Sequence, residues 1–155
     1  MSAVPLSADE LRDLYRELIL DHARSPRHFG KLDAMTHSAD GINPLCGDKL
    51  HLFLRVEDDR ITDVSFEGTG CAISVASASL LTETVIGMPV AEAEAFFDAI
   101  TDRLAGKASA DQKDLGKLAA LEGVREFPSR VKCATLAWHA LHAALNNDSV
   151  ASTES

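Results

Sequence analysis

The stretch Lys49-Leu50-His51-Leu52-Phe53-Leu54-Arg55-Val56-Glu57-Asp58-Asp59-Arg60-Ile61-Thr62-Asp63-Val64-Ser65-Phe66-Glu67 decides the fold. Leu50, Leu52, Leu54 and Val56 alternate with Lys49, His51, Phe53 and Arg55. A period of two marks a strand with one face on a core. Glu57-Asp58-Asp59-Arg60 reads as a turn. Ile61 to Glu67 reads as the next strand, with Thr62, Val64 and Phe66 on one face. Together they make a hairpin.

Downstream, Gly68-Thr69-Gly70 breaks the pattern directly before Cys71. From Cys71 to Ile86 small residues recur (Ala72, Ser74, Ala76, Ser77, Ala78, Ser79), which suits a helix lying close to a sheet. Gly87 ends it. Pro89 opens a further helix to Leu104, at a position where its missing donor does no harm. A short helical segment follows at 111–121, then a loop at 123–128 and a last helix over 130–146. Upstream, Ser7-Ala8-Asp9-Glu10 matches a capping box and predicts a helix over 8–24. Ser25-Pro26 stops it, because the residue before a proline is pushed out of the helical region. Residues 34–40 read as a polar strand, and Gly41-Ile42-Asn43-Pro44 as a loop. Strands first and helices afterwards make an α+β fold, a small antiparallel sheet with helices packed on one face.

The chain has 155 residues and 46% apolar side chains, enough for one domain with a real core. We expect that domain to span 1–147, with the polar end 148–155 as a disordered tail. No long apolar run predicts a membrane span. The start carries neither the basic nor the apolar region of a signal peptide, so the expected location is cytoplasmic. A net charge of −9 argues against nucleic acid as the partner and suits a basic protein.

The three cysteines, Cys46, Cys71 and Cys133, cannot all pair within one chain. Each stands beside a structural boundary: Cys46 between a turn and a strand, Cys71 between a strand and a helix, Cys133 in the first turn of the last helix. A helix N-terminus stabilises a thiolate. Asp48 follows Cys46 by two residues, with Gly47 between to permit unusual backbone angles. Three thiolates and a carboxylate form a set that zinc accepts. From the residues alone, packing stays open for the cysteines, and a turn carboxylate bonding its own backbone stays open for Asp48. Of the histidines, His22 reads as packed on the inner face of the first helix. His139 and His142 stand one turn apart with no acidic or thiol partner at their spacing. Trp138 reads as core.

Three segments then resemble, in order and with matching gaps, the motifs of SufU-type proteins: 43–48 (Asn-Pro-Leu-Cys-Gly-Asp), 68–74 (Gly-Thr-Gly-Cys-Ala-Ile-Ser) and 127–136 (Phe-Pro-Ser-Arg-Val-Lys-Cys-Ala-Thr-Leu). These belong to the IscU/SufU group of iron–sulfur cluster assembly proteins, related to the N-terminal part of NifU. The resemblance implies a SufE/IscU-like fold and one zinc ion on Cys46, Asp48, Cys71 and Cys133. It also implies sulfur transfer: Cys46 accepts persulfide sulfur from a SufS-type cysteine desulfurase, after a partner histidine replaces it on the metal. The sulfur then passes to a SufB-containing scaffold complex. In this picture the protein is a sulfur carrier that turns over only with its partner. Arg130 would pair with Asp48 or assist the exchange, against the simpler reading of a surface ion pair.

Three features separate this pattern from IscU. An extra stretch lies at about 102–121, Lys132 stands where IscU carries histidine, and 126–130 lacks the Leu-Pro-Pro-Val-Lys chaperone motif. Two alternatives remain: a scaffold building an iron–sulfur cluster on the same ligands, and a zinc-stabilised adaptor of the desulfurase without chemistry of its own.

Overall fold

A computed structural model describes residues 8–44, 47–105, 116–124, 127–148 and 150–152. The elements run α1 (Ala8–Arg24), β1 (His37–Asn43), β2 (Asp48–Glu57), β3 (Arg60–Thr69), α2 (Ala72–Val85), α3 (Val90–Leu104), a 3₁₀ helix (Gly116–Val124), α4 (Pro128–Leu145) and β4 (Val150–Ser152). The capping residue Ser7 and the stretch 111–115 of the expected helical segment lie outside the described residues.

The sheet has the order β3-β2-β1-β4. The expected hairpin is present, and β2 pairs antiparallel with both β3 and β1. One contact departs from the expected all-antiparallel sheet: β4 runs parallel to β1, with Asp40 opposite Val150. The sheet is therefore mixed. Residues 150–152, expected within a disordered tail, form this short edge strand instead.

Two further details differ from the sequence reading. β1 starts later and runs through Asn43, so the stretch 41–43 read as loop is strand. A bulge at Arg55/Val56 also shifts the register of β3, pairing Arg55 with Asp63 but Val56 with Ile61. Strict alternation would turn Thr62 inward. The bulge instead buries Ile61 fully and leaves Thr62 exposed, donating its hydroxyl to the Arg55 carbonyl at 3.1 Å.

The helices pack on one face, α4 against β1 and β2 and α2 against β3. Leu50, Leu52 and Leu54 of β2 and Val64 and Phe66 of β3 meet Leu80, Leu81, Leu136, Trp138 and Leu141, all at most 1% exposed. Fully burying one such side chain contributes about 1.5–3 kcal/mol. The small residues of α2 were expected to lie close to the sheet; one of them, Ser77, donates instead to the Ala134 carbonyl of the neighbouring helix α4. His22 is packed at 1% exposure, its Nδ1 2.7 Å from Ser79 Oγ. The Arg27 amide donates to the same hydroxyl at 2.8 Å, which pins the end of α1 onto α2. Among the described residues no helix is long and apolar enough to cross a membrane.

Candidate metal centre

The site lies where the end of one hairpin meets the start of the next helix. Asn43 closes β1 and Asp48 opens β2, and the two face each other across the antiparallel pair. The four residues between them carry Cys46, which lies outside the described residues. Gly47 takes φ +71°, the left-handed turn expected of it, and delivers the chain into β2 at Asp48.

Asp48 is 1% exposed. Its Oδ1 accepts the Cys71 amide at 2.8 Å, and its Oδ2 lies 4.0 Å from Cys71 Sγ. Gly70 allows this approach: a Cβ there would stand 2.9 Å from Asp48 Oδ1 and would collide with Ser74 Oγ. Cys71 is the N-cap of α2, and its sulfur accepts the Ser74 amide at 3.5 Å. The helix-terminal environment expected for Cys71 is therefore present, with the free amides and dipole directed at the sulfur.

Cys133 differs from the expectation. Pro128 starts α4, two residues earlier than read, so Cys133 falls in the second turn. The helix dipole fades beyond the first turn. In its place the side chain of Asn43 donates to Cys133 Sγ at 3.6 Å, deep in the protein where Cys133 is 2% exposed.

Among the described residues, Asp48, Cys71 and Cys133 form a group whose ligand atoms all lie within 4.8 Å of one another. Ligands sharing a tetrahedral zinc stand roughly 3.3–3.8 Å apart, given bonds of about 2.0–2.3 Å. Closing the remaining gap takes adjustments of roughly 1 Å or less. The chemistry fits as well: a buried carboxylate needs compensation, and among the described residues Asp48 meets the amide and the sulfur of Cys71 and no ion-pair partner. A metal ion would supply the missing positive charge.

Beside the group opens a cleft of about 300 Å³, lined by Cys71, Ala72, Ile73, Ser129, Arg130 and Cys133. Cys71 and Arg130 are exposed, so the site is reachable from solvent. The Arg130 guanidinium sits 5.7 Å over the Phe127 ring, which is itself half exposed. No described ion pair joins Arg130 to Asp48. Arg130 thus lines the cleft as an exposed residue.

Sequence reasoning missed Asn43, hidden by the loop assignment, and Gly70, read only as a strand breaker. It also missed the partner of His142. Glu94 of α3 lies 2.7 Å from His142 Nδ1, and the Phe97 ring stacks on the same imidazole at 4.6 Å. Burial, then the neighbouring His142, pushes the His139 imidazole below its ordinary pKa. These groups clamp α3 to α4, with no cysteine among them.

An open α+β sheet backed by helices, with a cysteine–carboxylate group beside a cleft, describes a small protein whose clustered side chains could hold a metal ion. The chain belongs to the family of the NifU-like N terminal domain, whose model matches residues 14–134, and so to the IscU/SufU group. It is 43% identical over 132 residues to a zinc-dependent sulfurtransferase SufU of Bacillus subtilis, covering 84% of this chain and 88% of that one. It is 40% identical over 140 residues to an iron–sulfur cluster assembly scaffold protein IscU of Streptococcus pyogenes, covering 90% and 87%. The fold matches a solved NifU-like N-terminal protein of Brucella abortus with TM-score 0.78 at 26% identity, covering 88% and 94%. Relatives described as transfer protein and as scaffold thus stand at nearly equal distance.

Proposed function

We propose that this protein is a zinc-binding sulfur carrier of iron–sulfur cluster assembly, with Cys46, Asp48, Cys71 and Cys133 as the metal ligands. The observation that carries this reading is the convergence of Asp48, Cys71 and Cys133 within 4.8 Å beside an open cleft. Cys46 joins by its position in the four-residue connection ending at Asp48. The likeness to a zinc-dependent sulfurtransferase supports the choice of metal. Zinc would keep the thiols deprotonated and bring no redox chemistry of its own.

The donor is a cysteine desulfurase of the SufS type, carrying a persulfide. Cys46 Sγ attacks the outer sulfur of that persulfide. A new S–S bond forms to Cys46, and the bond from the outer sulfur to the donor cysteine breaks. Its electron pair leaves with the donor as a thiolate, so the exchange is redox-neutral. Asp48, Cys71 and Cys133 stay in place. Arg130 meets the negative charge of the incoming persulfide in the cleft, where Ile73 adds an apolar lining, and the half-exposed Phe127 ring lies under the same guanidinium. The sulfur then passes to a SufB-containing scaffold complex. In this reading the protein works in the cytoplasm.

The test is intact-mass analysis after incubation with a SufS-type desulfurase and cysteine. One extra sulfur mapped to Cys46, and absent from Cys46→Ala, supports the carrier. Full sulfur acceptance by Cys46→Ala would refute it. The scaffold reading has its own support in the IscU-named relatives. It predicts iron and sulfide on the same ligands, which tolerate both.

A further inference from the structure

Asn43 is the least expected side chain at the site. It is fully buried, at 0% exposure, at the last position of β1. Its Nδ2 donates to Cys133 Sγ at 3.6 Å. Its Oδ1 is buried and has no hydrogen-bond partner among the described residues. Leaving a buried acceptor unsatisfied costs its desolvation, whereas an apolar side chain of similar shape carries no such cost. The cost is offset if the amide donor has an anion to stabilise. A thiolate at Cys133 is that anion: it sits in the second turn of α4, beyond the reach of the helix terminus that serves Cys71. Asn43 is also the cross-strand partner of Asp48, so one residue touches the backbone that sets the carboxylate and the sulfur that faces it.

We propose that Asn43 is a positioning residue for Cys133. Its amide fixes the sulfur's orientation and draws charge from it, so that Cys133 serves as a permanent ligand and not as a sulfur acceptor. This inference rests on the reading of the site as a metal centre. Hydrogen bonds to ligating sulfurs tune a metal site, and outer partners of ligands are worth 10–100-fold in affinity. The donor also lowers the energy of the sulfur electrons, which a cobalt probe reports directly.

The experiment uses the full chain loaded with zinc, by chelator competition, and with cobalt(II), by absorption spectroscopy. The variants are Asn43→Leu, Asn43→Asp, Cys133→Ala and the double Asn43→Leu/Cys133→Ala. Asn43→Leu should weaken zinc about 10–100-fold. It should also move the sulfur-to-cobalt charge-transfer band to longer wavelength. On the Cys133→Ala background the same change should add nothing, because its partner is gone. An unmoved band with unchanged affinity, or an equal loss in both backgrounds, overturns the proposal. Should Asn43→Leu fail to fold, Asn43→Asp keeps the shape without the donor, and an unmoved band there overturns it as well. Wild-type protein that binds neither metal would refute the metal-centre reading itself. Wild-type binding that Cys133→Ala leaves intact would remove Cys133 from the ligand set. Either result differs from the failure of Asn43 alone.

Discussion

Replacing Gly70 by alanine perturbs the site without replacing any proposed ligand. The added Cβ would stand 2.9 Å from Asp48 Oδ1 and 3.4 Å from its Cγ, and would overlap Ser74 Oγ. A relaxed carbon–oxygen contact needs about 3.3 Å, so the carboxylate must retreat by roughly 0.4 Å in a packed interior. It cannot do so freely, because Oδ1 holds the Cys71 amide at 2.8 Å. Ser74 can swing aside only by giving up its 3.0 Å hydrogen bond to the Cys71 carbonyl. Overpacking of this kind costs about 1–3 kcal/mol in the metal-free protein. A ligand set must be held to about 0.5 Å, so zinc affinity should fall about tenfold or more. Tenfold weaker binding removes about 1.4 kcal/mol from the stabilisation that saturating zinc confers. Urea unfolding with and without zinc measures both terms. If Gly70→Ala unfolds within about 0.5 kcal/mol of wild type and gains the same increment from zinc, the close approach of Asp48 to the β3–α2 junction is wrong.

Burial, then the Arg27 charge, holds the His22 imidazole below its ordinary pKa, against an opposing pull from Glu83. The fold therefore favours neutral His22, and its contribution is complete above about pH 6.5 and lost as pH falls through the lowered value, by at most about 1.4 kcal/mol per pH unit. His22→Asn should flatten the loss of stability between neutral pH and pH 5, and equal slopes in both proteins would contradict this. Trp138→Ala empties the largest fully buried site and should cost about 3–5 kcal/mol by chemical denaturation, with a loss near 1 kcal/mol refuting its central place. Ending the chain at Asn147 removes β4 and its pairing with Asp40, Gly41 and Ile42, and should cost about 1–2 kcal/mol. Unchanged stability would mean that the strand does not persist in solution.

The hairpin was legible because Leu50, Leu52 and Leu54 repeat at the period of a half-buried strand, and the same residues line the core. Its register was not, since a bulge leaves no mark in an alternating pattern and Thr62 is as good a strand residue as Ile61. β1 was blurred for another reason: Gly41 and Asn43 are poor strand formers, yet tertiary pairing with Leu50 and Asp48 holds them extended. The end 148–155 offers only Val150 and Ala151 as apolar residues, too few to mark a strand, and β4 packs beside β1 and α4. At the site, the candidate residues were readable by type, whereas the approach of Asp48, Cys71 and Cys133 to one another depends on how β2, the β3–α2 junction and α4 pack together. With α4 starting at Pro128, Cys133 lies beyond the helix terminus, and Asn43 at the end of β1 donates to it instead. The Glu94–His142 pair, 48 positions apart, escaped any search by spacing along one helix.

Metal content of the anaerobically purified protein, with acid-labile sulfide assayed beside it, tests the central claim most directly. Wild type should carry one zinc per chain and no iron, with zinc reduced in Cys46→Ala and in Asp48→Ala. Iron and sulfide at near-stoichiometric levels would contradict the carrier in favour of a scaffold, and the absence of any metal would contradict the site itself.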